Sequence, residues 1–387
     1  MSKIKPIDNA GLEYESTDLR LVIYADNQIC DGKPSYVAPQ LKLERYTPKL
    51  LSDHEVRVRM VCVGICGTDI HLMTTQGSDR KIVLSAPMEI PLAGRVIGHE
   101  GIGKVEAVGS QISQFAPGDW VVPASIWNCG QCQPCLTGLE NQCEISRLLG
   151  LEFDGLFANT ADLPPSMLLK VSDAVGGPDD VVALSALEPV ATALQACDKT
   201  QMHEHSRVLI FGGGPIGAYA AMLARCSYSC QKIDLVEPID KRRQLVASWC
   251  DEVYSPGQFA QSDQYYDVMI EASGDVDNIN RHFLKMAAGG HIAVLGRCGR
   301  SLSIDHVDHM ITNGITVQGC RGQLGGYMQK ALELYKSGSL PIASLISEVV
   351  AGPAPLERLQ QILIAGGYGQ AAQCKRVLVL DAASLRF

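Results

Sequence analysis

Four cysteines fall within fifteen residues, in CGQCQPCLTGLENQC from Cys129 to Cys143. Their pattern is Cys129-x2-Cys132-x2-Cys135-x7-Cys143, and Gly130, Gln131, Gln133 and Pro134 fill the gaps with residues suited to tight turns. Thiolates in one such loop can converge on the corners of a tetrahedron about 2.3 Å from a zinc ion. Four of them leave no open coordination position, so the site would be structural. An iron–sulfur cluster fits the ligand type, but nothing else in the chain suggests electron transfer. A zinc ribbon binding nucleic acid would need a basic stripe, and none flanks the loop.

A second, looser set lies upstream. GICGTDIH supplies Cys66, Thr68, Asp69 and His71, and VIGHEGIGKVEAVG supplies His99 and Glu100. One thiolate, one imidazole and one carboxylate, brought in from two loops, leave zinc a position for water or substrate. Thr68 could then accept a substrate proton and His71 pass it to solvent. Asp69 could orient the far ring nitrogen of His99. The plain alternatives are a buried strand cysteine and a satisfied core histidine.

A third motif is SRVLIFGGGPIGAYAAMLARC, an apolar run, then Gly212-x-Gly214-x-x-Gly217, then an Ala-rich stretch. Between a strand and a helix, glycines with this spacing allow a tight turn and close approach of a pyrophosphate to the helix amino terminus. Pro215 and Ile216 lie inside that loop, and Glu237 follows Gly217 by twenty residues, where an acid binds ribose hydroxyls. Glu237 favours NAD, because a carboxylate repels a 2′-phosphate. Lys241, Arg242 and Arg243 keep NADP in play.

Elements must hold these residues in place. The runs SRVLIFG, QKIDLVEP, DEVYS, YDVMIEAS, HIAVLG and ITVQGC read as six strands, alternating with helical stretches such as DKRRQLVASW and NINRHFLKMAA. That is the count of a doubly wound parallel sheet. The 387-residue chain has room for a second domain, and its 46% hydrophobic and 19% charged composition is globular. A formal charge of -9 argues against nucleic acid or an anionic membrane as partner. No apolar run of about eighteen residues is present, and the amino terminus lacks a signal-peptide core, so a cytoplasmic location is expected. Fourteen cysteines in such a chain read as thiols and metal ligands before disulfides.

The order GICGTDIH, GHEGIGKVEAVG, the four-cysteine loop, ALEPVATALQA and GGGPIG resembles the zinc-dependent medium-chain alcohol and polyol dehydrogenases. The resemblance implies an α/β architecture, a GroES-like β-rich catalytic domain interrupted by a Rossmann domain with a six-stranded parallel sheet. The expected division is residues 1–190 with the zinc sites, 191–322 for the dinucleotide, and 323–387 returning to the catalytic domain. It implies two zinc ions per chain. Cys66, His99, Glu100 and Glu188 would serve the catalytic ion, with Glu188 binding directly or through water. Cys129, Cys132, Cys135 and Cys143 would hold the structural one. Thr68 and His71 match the family's proton relay, and Arg376 resembles a pyrophosphate-binding arginine. A homodimer or homotetramer is expected, with ITVQGC as the pairing edge strand.

What the resemblance implies chemically is reversible hydride transfer between NAD and an alcohol, with Glu188 pointing to a polyol, sugar, aminocyclitol or hydroxy-amino acid. An NADPH-dependent carbonyl reductase shares every residue, and a non-catalytic scaffold would have lost the ligands that this chain keeps. Three departures stand out. The segment VIYADNQICDGKPSYVAPQLKLERYTPKLLSDHEV precedes the first recognisable strand, LMTTQGSDRKIVLSAPMEIPLAGR occupies the substrate-pocket region, and Asn159 stands where relatives often carry an acid.

Overall fold

The computed structural model describes residues 18–30, 33–76, 81–82, 89–298, 300–365 and 374–386. A seven-stranded sheet carries the zinc-ligand candidates, built around the strand Val56–Ile65. Its sequence VRVRMVCVGI begins with strict alternation, Val56 and Val58 facing in. Arg57 and Arg59 face out, paired with Asp162 at 2.7 Å and Glu106 at 2.6 Å. From Met60 onward both faces are buried, because Val61 and Cys62 pack into the core that the dinucleotide-side helices share. The neighbours are Glu100–Val108 on one side and Lys375–Val379 on the other, so the chain's end closes the sheet begun near its start.

The amino-terminal departure turns out to be structure. Leu19–Cys30 and Lys33–Arg45 form a long antiparallel hairpin, which the sequence reading left without strands. A register shift between Tyr24 and Asp26, Ala38 at φ 49°, and a run of polar residues broke the alternation that would have revealed it. Asn159 is explained by the same hairpin, since its Oδ1 accepts the Leu19 N–H at 2.6 Å. The hairpin also reaches the substrate-pocket segment, where Asn27 exchanges two hydrogen bonds with the backbone of Ile90. Residues 77–80 and 83–88 of that segment lie outside the described residues.

The six expected strands form one parallel sheet, in the order Glu252–Tyr254, Lys232–Val236, Arg207–Phe211, Tyr266–Glu271, Met286–Val294, Thr316–Gly319. This is the doubly wound order 3-2-1-4-5-6, which reverses beside the glycine loop and opens a crevice at the strands' carboxyl ends. The helix Leu187–Lys199 joins the two halves, and ten of its thirteen residues are buried. Pro189 fits its first turn because no intrahelical bond needs that nitrogen. After the sixth strand, Tyr327–Lys336 packs against this helix, and the chain regains the seven-stranded sheet at Ile346–Val350. Among the described residues no single helix is long and apolar enough to cross a membrane.

Candidate active site

The strand Val56–Ile65 ends at the short helix Gly67–His71, which fixes the first ligand candidate at its amino end. Asp69 is fully buried, and its Oδ2 accepts the Cys66 N–H at 2.9 Å, holding the turn closed. Its Oδ1 lies 3.7 Å from His99 Nδ1. Both atoms are buried and make no hydrogen bond among the described residues. His99 and Glu100 enter at the start of the neighbouring strand Glu100–Val108. Ligand atoms of Cys66, His99 and Glu100 all lie within 4.8 Å of one another. The sequence reading placed these three together, and so does the fold. A thiolate, an imidazole and a carboxylate form a donor set that fits zinc.

Glu100 has a partner that no motif announced. Lys375, with no exposed surface, directs Nζ at Glu100 Oε2 and donates to the Ile65 carbonyl at 3.0 Å. Burial lowers the Lys375 pKa to about 8, against the pull of Cys66 and Asp69. Gly64 is required beside the pair, since a Cβ there would meet Glu100 Oε2 at 2.7 Å. The adjacent Arg376 points away and pairs with Glu348, and it is not among the residues lining the cleft.

Glu188 stands across the cleft, outside the group of three. It opens the helix Leu187–Lys199, where the dipole favours a carboxylate. Its Oε1 accepts from Ser125 Oγ at 2.6 Å and, with the Gln323 amide turned to satisfy its neighbours, from that nitrogen at 3.0 Å. Ser125, Gln323 and Glu188 are all buried. Burial raises the Glu188 pKa, opposed by the nearby His99.

Cys66, Thr68, His71, His99, Glu100 and Glu188 line one cleft of about 310 Å³ together with Gly214, Pro215 and Ile216. Thr68 Oγ1 lies 3.7 Å from Cys66 Sγ, and burial lowers the His71 pKa to about 4, leaving a neutral ring at pH 7. In the glycine loop Gly212 adopts φ 98°, and a Cβ on Gly217 would meet the Gly212 carbonyl oxygen at 1.9 Å. Gly214 caps the helix Pro215–Cys226, whose first N–H groups face the crevice where a pyrophosphate would sit. Glu237 is buried at the end of the second strand and accepts the N–H groups of Gly213 at 2.7 Å and Ile239 at 2.9 Å. Arg242 lies 3.8 Å from it, whereas Arg243 donates to the carbonyls of Glu237 and Pro238.

In the cysteine lobe the contacts Cys132–Cys135, Cys129–Cys143 and Cys129–Cys135 measure 3.4, 3.6 and 4.0 Å between sulfurs. A tetrahedral zinc site with its usual bond length places sulfurs about 3.8 Å apart, so the four fit a closed zinc site. All four are free thiols. Backbone N–H groups of Gln131 and Cys132 aimed at Cys129 lower its pKa.

Residues 52–173 match the model of the alcohol dehydrogenase GroES-like domain. The chain is 30% identical over 310 residues to an L-threonine 3-dehydrogenase of Bacillus licheniformis, covering 78% of this chain and 85% of that one. It is 26% identical over 323 residues to a protein of Emericella nidulans named "Probable D-xylulose reductase A", covering 79% and 86%. The 2R,3R-butanediol dehydrogenase of Bacillus subtilis shares the fold, with a TM-score of 0.75 at 20% identity over 94% of this chain and all of that one. The chain belongs to the zinc-dependent medium-chain dehydrogenase/reductase family.

This medium-chain dehydrogenase is therefore an oxidoreductase with a GroES-like domain and a Rossmann domain. Sequence reasoning missed Lys375, Ser125 and Gln323, which hold the carboxylates of the cleft. It missed Asn141 as well, which is buried and bonds Leu324 through both side-chain ends, tying the cysteine lobe to the segment carrying Gln323. Lys375, Ser125 and Gln323 lie outside any spacing motif, and Asn141 lies within the four-cysteine loop as one of its spacer residues, where the motif marks only the cysteines.

Proposed function

We propose that the protein catalyses reversible hydride transfer between NAD and a secondary alcohol, yielding a ketone, with two zinc ions per chain. The observation that carries this reading is the meeting of the Cys66–His99–Glu100 donor set and the glycine loop in one cleft. Cys66 and His99 would hold the catalytic ion, with Glu100 beside them and Glu188 reaching it directly or through water. The four cysteines of the lobe would hold the structural ion. Zinc at the first site supplies Lewis acidity toward the substrate hydroxyl.

The chain's own residues do the rest. Asp69, 3.7 Å from His99 Nδ1, would orient that ring by its charge. The Thr68 hydroxyl accepts the proton leaving the alcohol, and neutral His71 takes it on toward solvent. Gly212, Gly214 and Gly217 let the pyrophosphate approach the Pro215–Cys226 helix, while Glu237 receives the ribose. The cleft then holds the carbinol carbon beside the nicotinamide, so hydride moves without prior reorganisation. Polyols, sugars, aminocyclitols and hydroxy-amino acids are the substrate classes, in keeping with the carboxylates Glu100 and Glu188 at the donor set.

A second reading, a carbonyl reductase using NADPH, draws on Arg242 next to Glu237. Assay of the zinc-loaded protein against these substrate classes, with NAD and NADP and in both directions, tests both. NAD-dependent turnover of one class supports the first, and carbonyl reduction confined to NADPH supports the second. We further propose that copies pair through Thr316–Gly319, the edge strand of the parallel sheet. Light scattering would read a dimer or tetramer.

A further inference from the structure

Two arginines enter the same cleft and play no part in the chemistry described so far. Arg297 lies three residues beyond the strand Met286–Val294, and Arg321 two beyond Thr316–Gly319. Arg297 is exposed, and Arg321 is half-buried. Arg321 Nη1 donates to the Asn141 carbonyl and to Ser146 Oγ, both at 3.1 Å, while its Nε is buried without a hydrogen-bond partner. Burial and the nearby charge of Arg297 lower the Arg321 pKa.

The cleft's own carboxylates do not neutralise them. Glu100 is taken by Lys375, and Glu188 by Ser125 and Gln323. Glu152 attracts Arg321 from a distance, but its Oε2 accepts the Leu148 N–H at 2.7 Å. Among the described residues neither arginine forms an ion pair with a side-chain carboxylate. Arg297 and Arg321 thus line one cavity and repel each other, opposed from a distance by Glu152 and Cys143, and an anion between them would relieve that repulsion.

Their place in the sheet says which anion. From Arg207–Phe211, which carries the pyrophosphate loop, the strands leading to Arg297 and Arg321 are second and third neighbours, about 10 and 14 Å away. Glu237 and Arg242, where an extra phosphate of NADP would sit, lie on the opposite side of the loop. Arg321 is instead two residues from Gln323, which touches Glu188 at the metal side of the cleft. The cofactor's phosphates are therefore elsewhere.

We propose that Arg297 and Arg321 receive an anionic group on the substrate, so that the alcohol oxidised beside Cys66 and His99 carries a carboxylate or phosphate at its other end. The inference rests on the dehydrogenase reading and narrows its substrate to an acidic polyol, sugar acid, sugar phosphate or amino acid. The planar guanidinium fork suits either oxyanion.

Calorimetric titration of the zinc- and NAD-loaded protein with sorbitol, gluconate and sorbitol 6-phosphate tests it, the three probes sharing a carbon chain. The expected result is a charged probe bound at least about tenfold more tightly than sorbitol, falling below about threefold in Arg297→Ala and Arg321→Ala. Gluconate as the favoured probe identifies a carboxylate, and sorbitol 6-phosphate a phosphate. Arg321→Lys keeps the charge where Arg321→Ala also loses the Asn141 and Ser146 bonds, and it retains part of the preference. No preference for either charged probe overturns the proposal. So does an equal loss for all three probes in both variants, or a matching loss of NAD affinity in Arg297→Ala. Hydride transfer is followed separately by nicotinamide absorbance. A charged-probe preference without any turnover would strike the dehydrogenase reading and leave the arginine site standing.

Discussion

At the scale of single residues, the site is governed by where buried charge finds a partner. Glu100 sits among metal-ligand candidates with 1% exposure and is balanced by Lys375, which is fully buried. Removing one member of a buried pair leaves an uncompensated charge, at a cost of about 3–5 kcal/mol. Lys375→Met should lower the urea midpoint of the protein accordingly, and Glu100→Gln in the same chain should restore part of the loss. An unchanged midpoint would show that the pair contributes nothing. Lys375 was not legible in the sequence because it reaches Glu100 from 275 positions away, through the closing strand of a sheet whose order no local pattern states. The four lobe cysteines were legible from ligand type and short spacing, whereas Cys66 and His99, in two separate loops, were singled out by ligand type and by the motifs around them.

At the scale of elements, the glycine loop shows how a backbone requirement becomes a binding requirement. Gly217 lies so close to the Gly212 carbonyl that any side chain pushes the helix Pro215–Cys226 away from its strand. Gly217→Val should weaken NAD binding about 100-fold, equal to about 2.7 kcal/mol, while the metal content of the cysteine lobe stays the same. Retained NAD affinity would mean that the dinucleotide does not use this loop. The parallel sheet was readable because its strands are continuous apolar runs between helical stretches, as buried parallel strands are. The hairpin Leu19–Arg45 was not, since DNQ at Asp26–Gln28 and the left-handed Ala38 interrupt its period of two.

At the scale of the whole molecule, two halves share a boundary that buries most of the helix Leu187–Lys199 and includes the hydrogen bonds between buried Asn141 and Leu324. The cysteine lobe thus does more than cap a loop, because the segment it holds also places Gln323 against Glu188. Stability against acid depends on ion pairs between neighbouring strands. Burial raises the Asp267 carboxyl, but the Arg207 side chain and backbone N–H outweigh it, so its pKa is lowered on folding. A carboxyl held below its unfolded value stabilises fully above the unfolded pKa of about 3.9 and loses that contribution as pH falls through the folded value. The stability difference between the protein and Asp267→Asn should therefore be full at neutral pH and shrink below about pH 4. A difference independent of pH across that range would remove the charge from the explanation.

The central claim is that hydride transfer depends on a metal held by Cys66 and His99 in the cleft shared with the cofactor. The most direct measurement is kcat for the best substrate, with NAD saturating and zinc supplied, in the protein and in Cys66→Ala. A loss of about 1,000-fold, equal to about 4 kcal/mol of barrier, is expected. The lobe should keep its own metal and the glycine loop its affinity for NAD. Turnover within about tenfold of the unaltered protein, a difference of about 1.4 kcal/mol, would contradict the account.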